Sequence, residues 1–155
     1  MEKEFIFETL KLAKKAEKKG EVPIGAIVVR DGKIIARGYN LRQKRRDATL
    51  HAEIVAIKKA CRVVKDWRLN DCTLYVNLEP CAMCAGAILN ARIGKVVFGA
   101  YDANSGCFGG KCDLSKENML NANIEVVGGV MQEECQKIIT EFFKKARDRN
   151  KTKKS

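Results

Sequence analysis

Ile6, Leu10 and Ala13 recur at helical spacing near the start of the chain, and Gly20 suits the end of that helix. The period then changes. Gly25 to Val29 is apolar and rich in β-branched residues, Asp31-Gly32 is a hairpin signal, and Lys33 to Tyr39 predicts the answering strand. The polar, basic stretch Leu41 to Asp47 predicts a loop, and a helix is predicted from about His51 to Val64. Cys72 to Leu78 predicts a strand. Pro80 opens a helix from Cys81 to about Ala91, at a position where its missing N–H costs nothing. Lys95 to Ala100 is a further strand, and the loop from Tyr101 to Lys111 gains flexibility from Gly106, Gly109 and Gly110, with Gly99 just before it. Ile124 to Val127 predicts a short strand. Cys135, Ile138, Ile139, Phe142, Phe143 and Ala146 form the apolar stripe of a last helix. The order is α-β-β-α-β-α-β-β-α. A hairpin followed by strand–helix–strand units implies a mixed sheet flanked by helices.

Composition narrows this to one globular domain. The chain has 155 residues, 46% of them apolar, and two prolines. No apolar run approaches the ~18 residues of a membrane span, and Met1-Glu2-Lys3-Glu4 lacks the layout of a secretion signal. The cysteine count is seven, an odd number. With no secretion signal, these read as thiols in a reducing compartment, which predicts a cytoplasmic protein. Cys61, Cys72 and Cys135 read as small buried hydrophobes.

The net charge is +11, and Lys144 to Ser155 alone carries seven basic residues against one acid, or +6. The chain therefore divides into a body of residues 1–147 and a basic tail of residues 148–155. The tail is either a solvated helix end or an electrostatic footprint for phosphates.

The chemistry lies in two short segments, His51-Ala52-Glu53 and Pro80-Cys81-Ala82-Met83-Cys84. One imidazole and two thiols bind Zn2+ and leave a fourth position open for water. A carboxylate near that water can move its protons. Any one of these residues alone is ordinary: His51 reads as structural, Glu53 as a solvated acid, Cys81 and Cys84 as a redox pair or core thiols. Three ligands and a base, each at a helix start after a strand, point to one catalytic zinc per chain. Residues two apart do not share a helix face, so His51 and Glu53 must sit at the helix entrance. Cys107 and Cys112 are the candidates for a fourth ligand in a closed structural site, but their spacing does not match a compact finger.

The pattern H-x-E…P-C-x-x-C is the signature of zinc nucleobase deaminases. The segment from Leu78 to Ile88 also resembles the bacterial tRNA adenosine deaminases, as do Arg92 to Ala100, Glu21 to Ala26, Gly38-Tyr39-Asn40 and Phe142-Phe143. That resemblance implies a cytidine deaminase-like three-layer α-β-α fold with a mixed five-stranded sheet, and a homodimer. It implies hydrolysis of adenosine to inosine at the wobble position of a tRNA anticodon stem-loop, with a zinc-activated water attacking C6 and ammonia leaving. His51, Cys81 and Cys84 would hold zinc, and Glu53 would shuttle protons. Asn40 matches a nucleoside-contacting asparagine and Asp102 an acidic loop residue beside the RNA. Arg68, Phe143 and Arg147 match positions near the anticodon loop.

The chain departs from the family's pattern at Ala48 and Leu50, where proline and alanine are usual, and at Asn104, where a lysine is common. Losing the proline predicts a less rigid entry to the helix. Two rival readings use the same residues. A free-base deaminase would share the zinc site without needing a basic tail. An inactive RNA-binding subunit would typically lack the glutamate that this chain keeps.

Overall fold

The computed structural model describes the backbone of residues 1–154 and the side chains of residues 1–151. Ser155 and the side chains of Lys153 and Lys154, all in the expected basic tail, lie outside the described residues. The elements are α1 (Glu2–Lys18), β1 (Gly25–Arg30), β2 (Lys33–Tyr39), α2 (Arg42–Arg45), α3 (Ala52–Val64), β3 (Cys72–Leu78), α4 (Ala82–Asn90), β4 (Lys95–Ala100), β5 (Glu125–Val127) and α5 (Gln132–Lys154). The sheet order is β2-β1-β3-β4-β5. The β1/β2 and β1/β3 pairs are antiparallel, and the β3/β4 and β4/β5 pairs are parallel.

Successive strand residues point to opposite faces, and in β1, β3 and β4 both faces are apolar. On one face Ala26, Val28, Leu74, Val76, Val96 and Phe98 pack against Ala52, Ala56 and Ala60 of α3 and Ala85 and Ile88 of α4. On the other, Ile27, Val29, Tyr75 and Val97 pack against Ile6 and Leu10 of α1 and Cys135 of α5. The result is the expected three-layer sandwich. Small residues bring α3 close to the sheet: a Cβ at Gly38 would lie 2.7 Å from the Ala56 nitrogen and 2.8 Å from the Ala52 carbonyl. Asn77, fully buried in β3, accepts from the Gly25 N–H at 2.8 Å and donates to the Pro23 carbonyl at 3.0 Å, fixing where β1 begins.

Three sequence expectations change. The basic loop after β2 contains the short helix α2, whose first turn is held by Glu21 carboxylate oxygens accepting the Gln43 and Lys44 N–H groups. Pro80 lies outside α4 rather than opening it, because Cys81 is extended and forms the cap. The last helix runs unbroken past residue 147 to Lys154. Among the described residues, no helix is long and apolar enough to cross a membrane.

Candidate active site

The parallel β3/β4 pair and the antiparallel hairpin bring the C-terminal ends of β2, β3 and β4 and the start of β1 to one end of the sheet. Both α3 and α4 begin at this end. His51 caps α3 with extended angles (φ −69°, ψ 156°), and Cys81 caps α4 likewise (φ −76°, ψ 179°). An extended cap turns its side chain off the helical wheel. This explains how His51 and Glu53, two apart, join one site.

The donor atoms of His51, Cys81 and Cys84 lie within 4.8 Å of one another. Cys81 Sγ is 3.7 Å from His51 Nδ1. The nitrogen–sulfur edge of a tetrahedral zinc site is about 3.6 Å, given Zn–S and Zn–N bonds of about 2.3 and 2.05 Å. The donor set therefore fits zinc in type and in size.

Its protons agree. The hydrogen bond from Cys84, followed by His51, holds the Cys81 thiol down at about 3. The same bond pushes Cys84 far up, with burial and the neighbouring Glu53 adding to it. The shared bond thus favours ionising one thiol over the other, and a bound cation would favour ionising both. The bond with Cys81 raises His51. The N-terminus of α4 favours the negative charge of thiolates at Cys81 and Cys84.

Glu53 is buried, and its Oε1 has no hydrogen-bond partner among the described residues. Burial pushes its carboxyl up to about 7. An unpaired buried carboxyl oxygen is costly. Here it stands beside the ligand set, with Oε1 left as an acceptor that nothing among the described residues satisfies.

The entry to α3 is held by hydrogen bonds in place of the family's proline. Asp47 Oδ1 accepts the Thr49 N–H (2.9 Å) and hydroxyl (2.6 Å), and the Leu50 carbonyl accepts the Leu41 N–H (3.0 Å). Asn40 is buried, and its Oδ1 accepts the Ala52 N–H at 2.8 Å, tying β2 to the first turn of α3.

Asp102, Phe143 and Arg147 come together with Asn104 in the wall of a groove of about 600 Å³ between the loop after β4 and α5. Within that loop, Asp102 Oδ1 accepts the N–H groups of Asn104 (3.0 Å) and Ser105 (3.2 Å). Phe143 is 44% exposed, which leaves a ring face open to a ligand.

Arg68 is not part of this grouping. It precedes β3, whose seven residues span about 20 Å, so it sits at the opposite end of the sheet from the ligands. There it pairs with Asp66 at 3.3 Å and stacks on Trp67, 5.1 Å from the ring centroid.

Sequence reasoning missed Glu79. This carboxylate is 3% exposed and accepts three backbone N–H groups at 2.8 Å: Asp102 on Oε1, and Phe108 and Gly110 on Oε2. The glycines of the loop serve this packing rather than flexibility, since a Cβ at Gly106 or Gly110 would collide with the Glu79 carboxylate. Along the sequence, Glu79 reads as another surface acid. The only signal was its place inside the Leu78–Ile88 segment. Cys107 and Cys112 pair with each other, their sulfurs 2.8 Å apart, and are not among the clustered donors.

The MafB19-like deaminase family model matches residues 1–147. A tRNA-specific adenosine deaminase of Bacillus subtilis is 49% identical over 147 residues, covering 95% of this chain and 91% of that protein. One of Haemophilus influenzae is 44% identical, covering 94% and 85%. A solved structure from studies of A-to-I editing by tRNA:A34 deaminases at the wobble position superposes with a TM-score of 0.80 at 37% identity. It covers 87% of this chain and 98% of the other.

Proposed function

Because the chain belongs to the MafB19-like deaminase family and, within it, to the tRNA-specific adenosine deaminases, we propose that His51, Cys81 and Cys84 hold a catalytic zinc and that Glu53 moves the protons. The reaction is hydrolytic deamination of adenosine to inosine at the wobble position of a tRNA anticodon. One observation carries the site assignment: a buried carboxyl with one unpartnered oxygen stands beside a three-donor set with the dimensions of a zinc site.

Bound zinc would supply a water acidic enough to serve as nucleophile near neutral pH. The chain's own residues do the rest. Glu53 takes a proton as the water oxygen bonds to C6. It returns that proton to the ring nitrogen and then carries the second water proton to the departing amino group, so that water and adenosine become inosine and ammonia. A carboxyl near 7 can hold and release a proton at working pH. Asn40 keeps the first turn of α3 in place, and its amide nitrogen, which has no hydrogen-bond partner among the described residues, is free to donate to the nucleoside.

The open groove wall of Asp102, Phe143 and Arg147 suits an unpaired anticodon loop. Phe143 offers a stacking face and Arg147 a phosphate contact. The basic end of α5 extends this surface. Arg68 meets RNA only if the bound tRNA reaches the far end of β3, or if a partner subunit of a homodimer carries it there.

The test is to incubate the zinc-loaded protein with a tRNA bearing adenosine at the wobble position and to read inosine as guanosine by sequencing. Free guanine and cytosine serve as competing substrates. Turnover of a free base without conversion of the tRNA would favour the free-base reading.

A further inference from the structure

We propose that Cys107 and Cys112 form a redox dithiol that reacts with low-molecular-weight disulfides and closes into an intrachain disulfide, a modification separate from the deaminase chemistry. The two sulfurs are 2.8 Å apart, inside non-bonded contact and short of a bond, so little motion joins them. Their backbone is already folded into a narrow antiparallel turn. The Gly109 N–H donates to the Cys112 carbonyl (2.8 Å), the Leu114 N–H donates to the Cys107 carbonyl (3.0 Å), and Phe108 bridges Asp113. In this register Cys107 and Cys112 are diagonal neighbours on the same face of the turn.

The two thiols differ in access. Cys112 is exposed, whereas Cys107 is buried. This suits an attacking thiol and a resolving thiol. The Cys112 thiolate attacks the incoming disulfide and forms a mixed disulfide, releasing one small thiol. The Cys107 thiolate then attacks the Cys112 sulfur and releases the second. The protein loses two electrons and two protons, and the small disulfide is reduced to two thiols.

The turn also carries load for the neighbouring site. The Cys107 N–H donates to the Pro80 carbonyl at 2.9 Å, next to Cys81, and the Phe108 and Gly110 N–H groups donate to Glu79. Closing the disulfide therefore fixes the turn that backs the Glu79–Cys81 segment. A short cross-linked loop of this kind should raise the thermal midpoint by a few degrees.

The experiment uses full-length zinc-loaded protein, oxidised with glutathione disulfide, alkylated and digested with trypsin. Cleavage after Lys95, Lys111 and Lys116 places the two cysteines in separate peptides, 96–111 and 112–116. The proposal expects these peptides linked with loss of two hydrogens, released by dithiothreitol, and found with zinc still bound. Cys112→Ser, a mild change at an exposed position, should abolish the link while keeping the fold and zinc content. Any of three results overturns the proposal: both sulfurs fully alkylated after oxidation, a glutathione adduct on Cys112 that never resolves, or a Cys81–Cys84 link with loss of zinc.

Discussion

Glu79→Gln isolates one buried carboxylate and asks how much of the site it holds. The change keeps size and shape and removes one acceptor. Glu79 now accepts three N–H groups at 2.8 Å, each a bond to a charged acceptor worth about 1.5–3 kcal/mol. In the glutamine, the amide oxygen can face Phe108 and Gly110 and keep both bonds in weaker, neutral form. Its NH2 then faces the Asp102 N–H, donor against donor. One bond is lost outright, a donor is left unpaired, and two bonds weaken, for a total cost of about 3–5 kcal/mol. That is a large part of the ~5–15 kcal/mol by which such domains are stable. For a chain of this size the melting temperature should fall by about 6–20 °C.

The assay is urea and thermal unfolding of the zinc-loaded protein, with the exposed Glu125→Gln as control. Turnover on an anticodon stem-loop should show KM rising more than kcat falls, because Asp102, bonded directly to Glu79, moves in the groove wall while His51 and Glu53 are held by α3. A Glu79→Gln protein within ~1 kcal/mol of the parent would refute the reasoning. It would mean that the three N–H groups find water or the loop re-forms without the carboxylate.

Other outcomes follow from the same geometry. Glu53→Ala should keep zinc and tRNA binding and lower turnover by at least ~10²–10⁴-fold; near-normal turnover would remove Glu53 from its role. Cys81→Ala should lose zinc on metal analysis and melt at a lower temperature than the parent, which chelators should in turn destabilise, since binding and folding are linked. Deleting residues 148–155 removes Arg149, Lys151, Lys153 and Lys154. It should weaken tRNA binding and reduce the log–log salt slope by as much as about 3, with adenosine still preferred over cytidine. Unchanged affinity across salt concentrations would return the tail to a solvated helix end. Arg68→Ala should leave single-turnover rates on a short stem-loop unchanged, because the side chain stands about 20 Å along β3 from the ligands; a slowed chemical step would contradict that placement.

The sequence by itself determined the strands, the main helices, a mixed sheet flanked by helices and the zinc-type donor set. These rest on local information. Periodicity reports which face of an element is buried, and His51, Glu53, Cys81 and Cys84 announce their chemistry by type and spacing. What it did not determine depends on groups far apart along the chain. Glu21, Asn77 and Glu79 look like surface polar residues, and only the fold sets them beside backbone N–H groups that need acceptors. Short α2 exists because Glu21 reaches across to cap it. The glycines after β4 read as slack in one dimension and are contact surfaces in three, since the Glu79 carboxylate occupies the space a side chain would take. Arg68 carries the right charge for RNA, and the direction of β3 puts it at the end of the sheet opposite the zinc-type donors. Residue type fixes what a side chain can do. The topology of the sheet fixes which side chains meet, and no pattern of neighbours along the chain contains that.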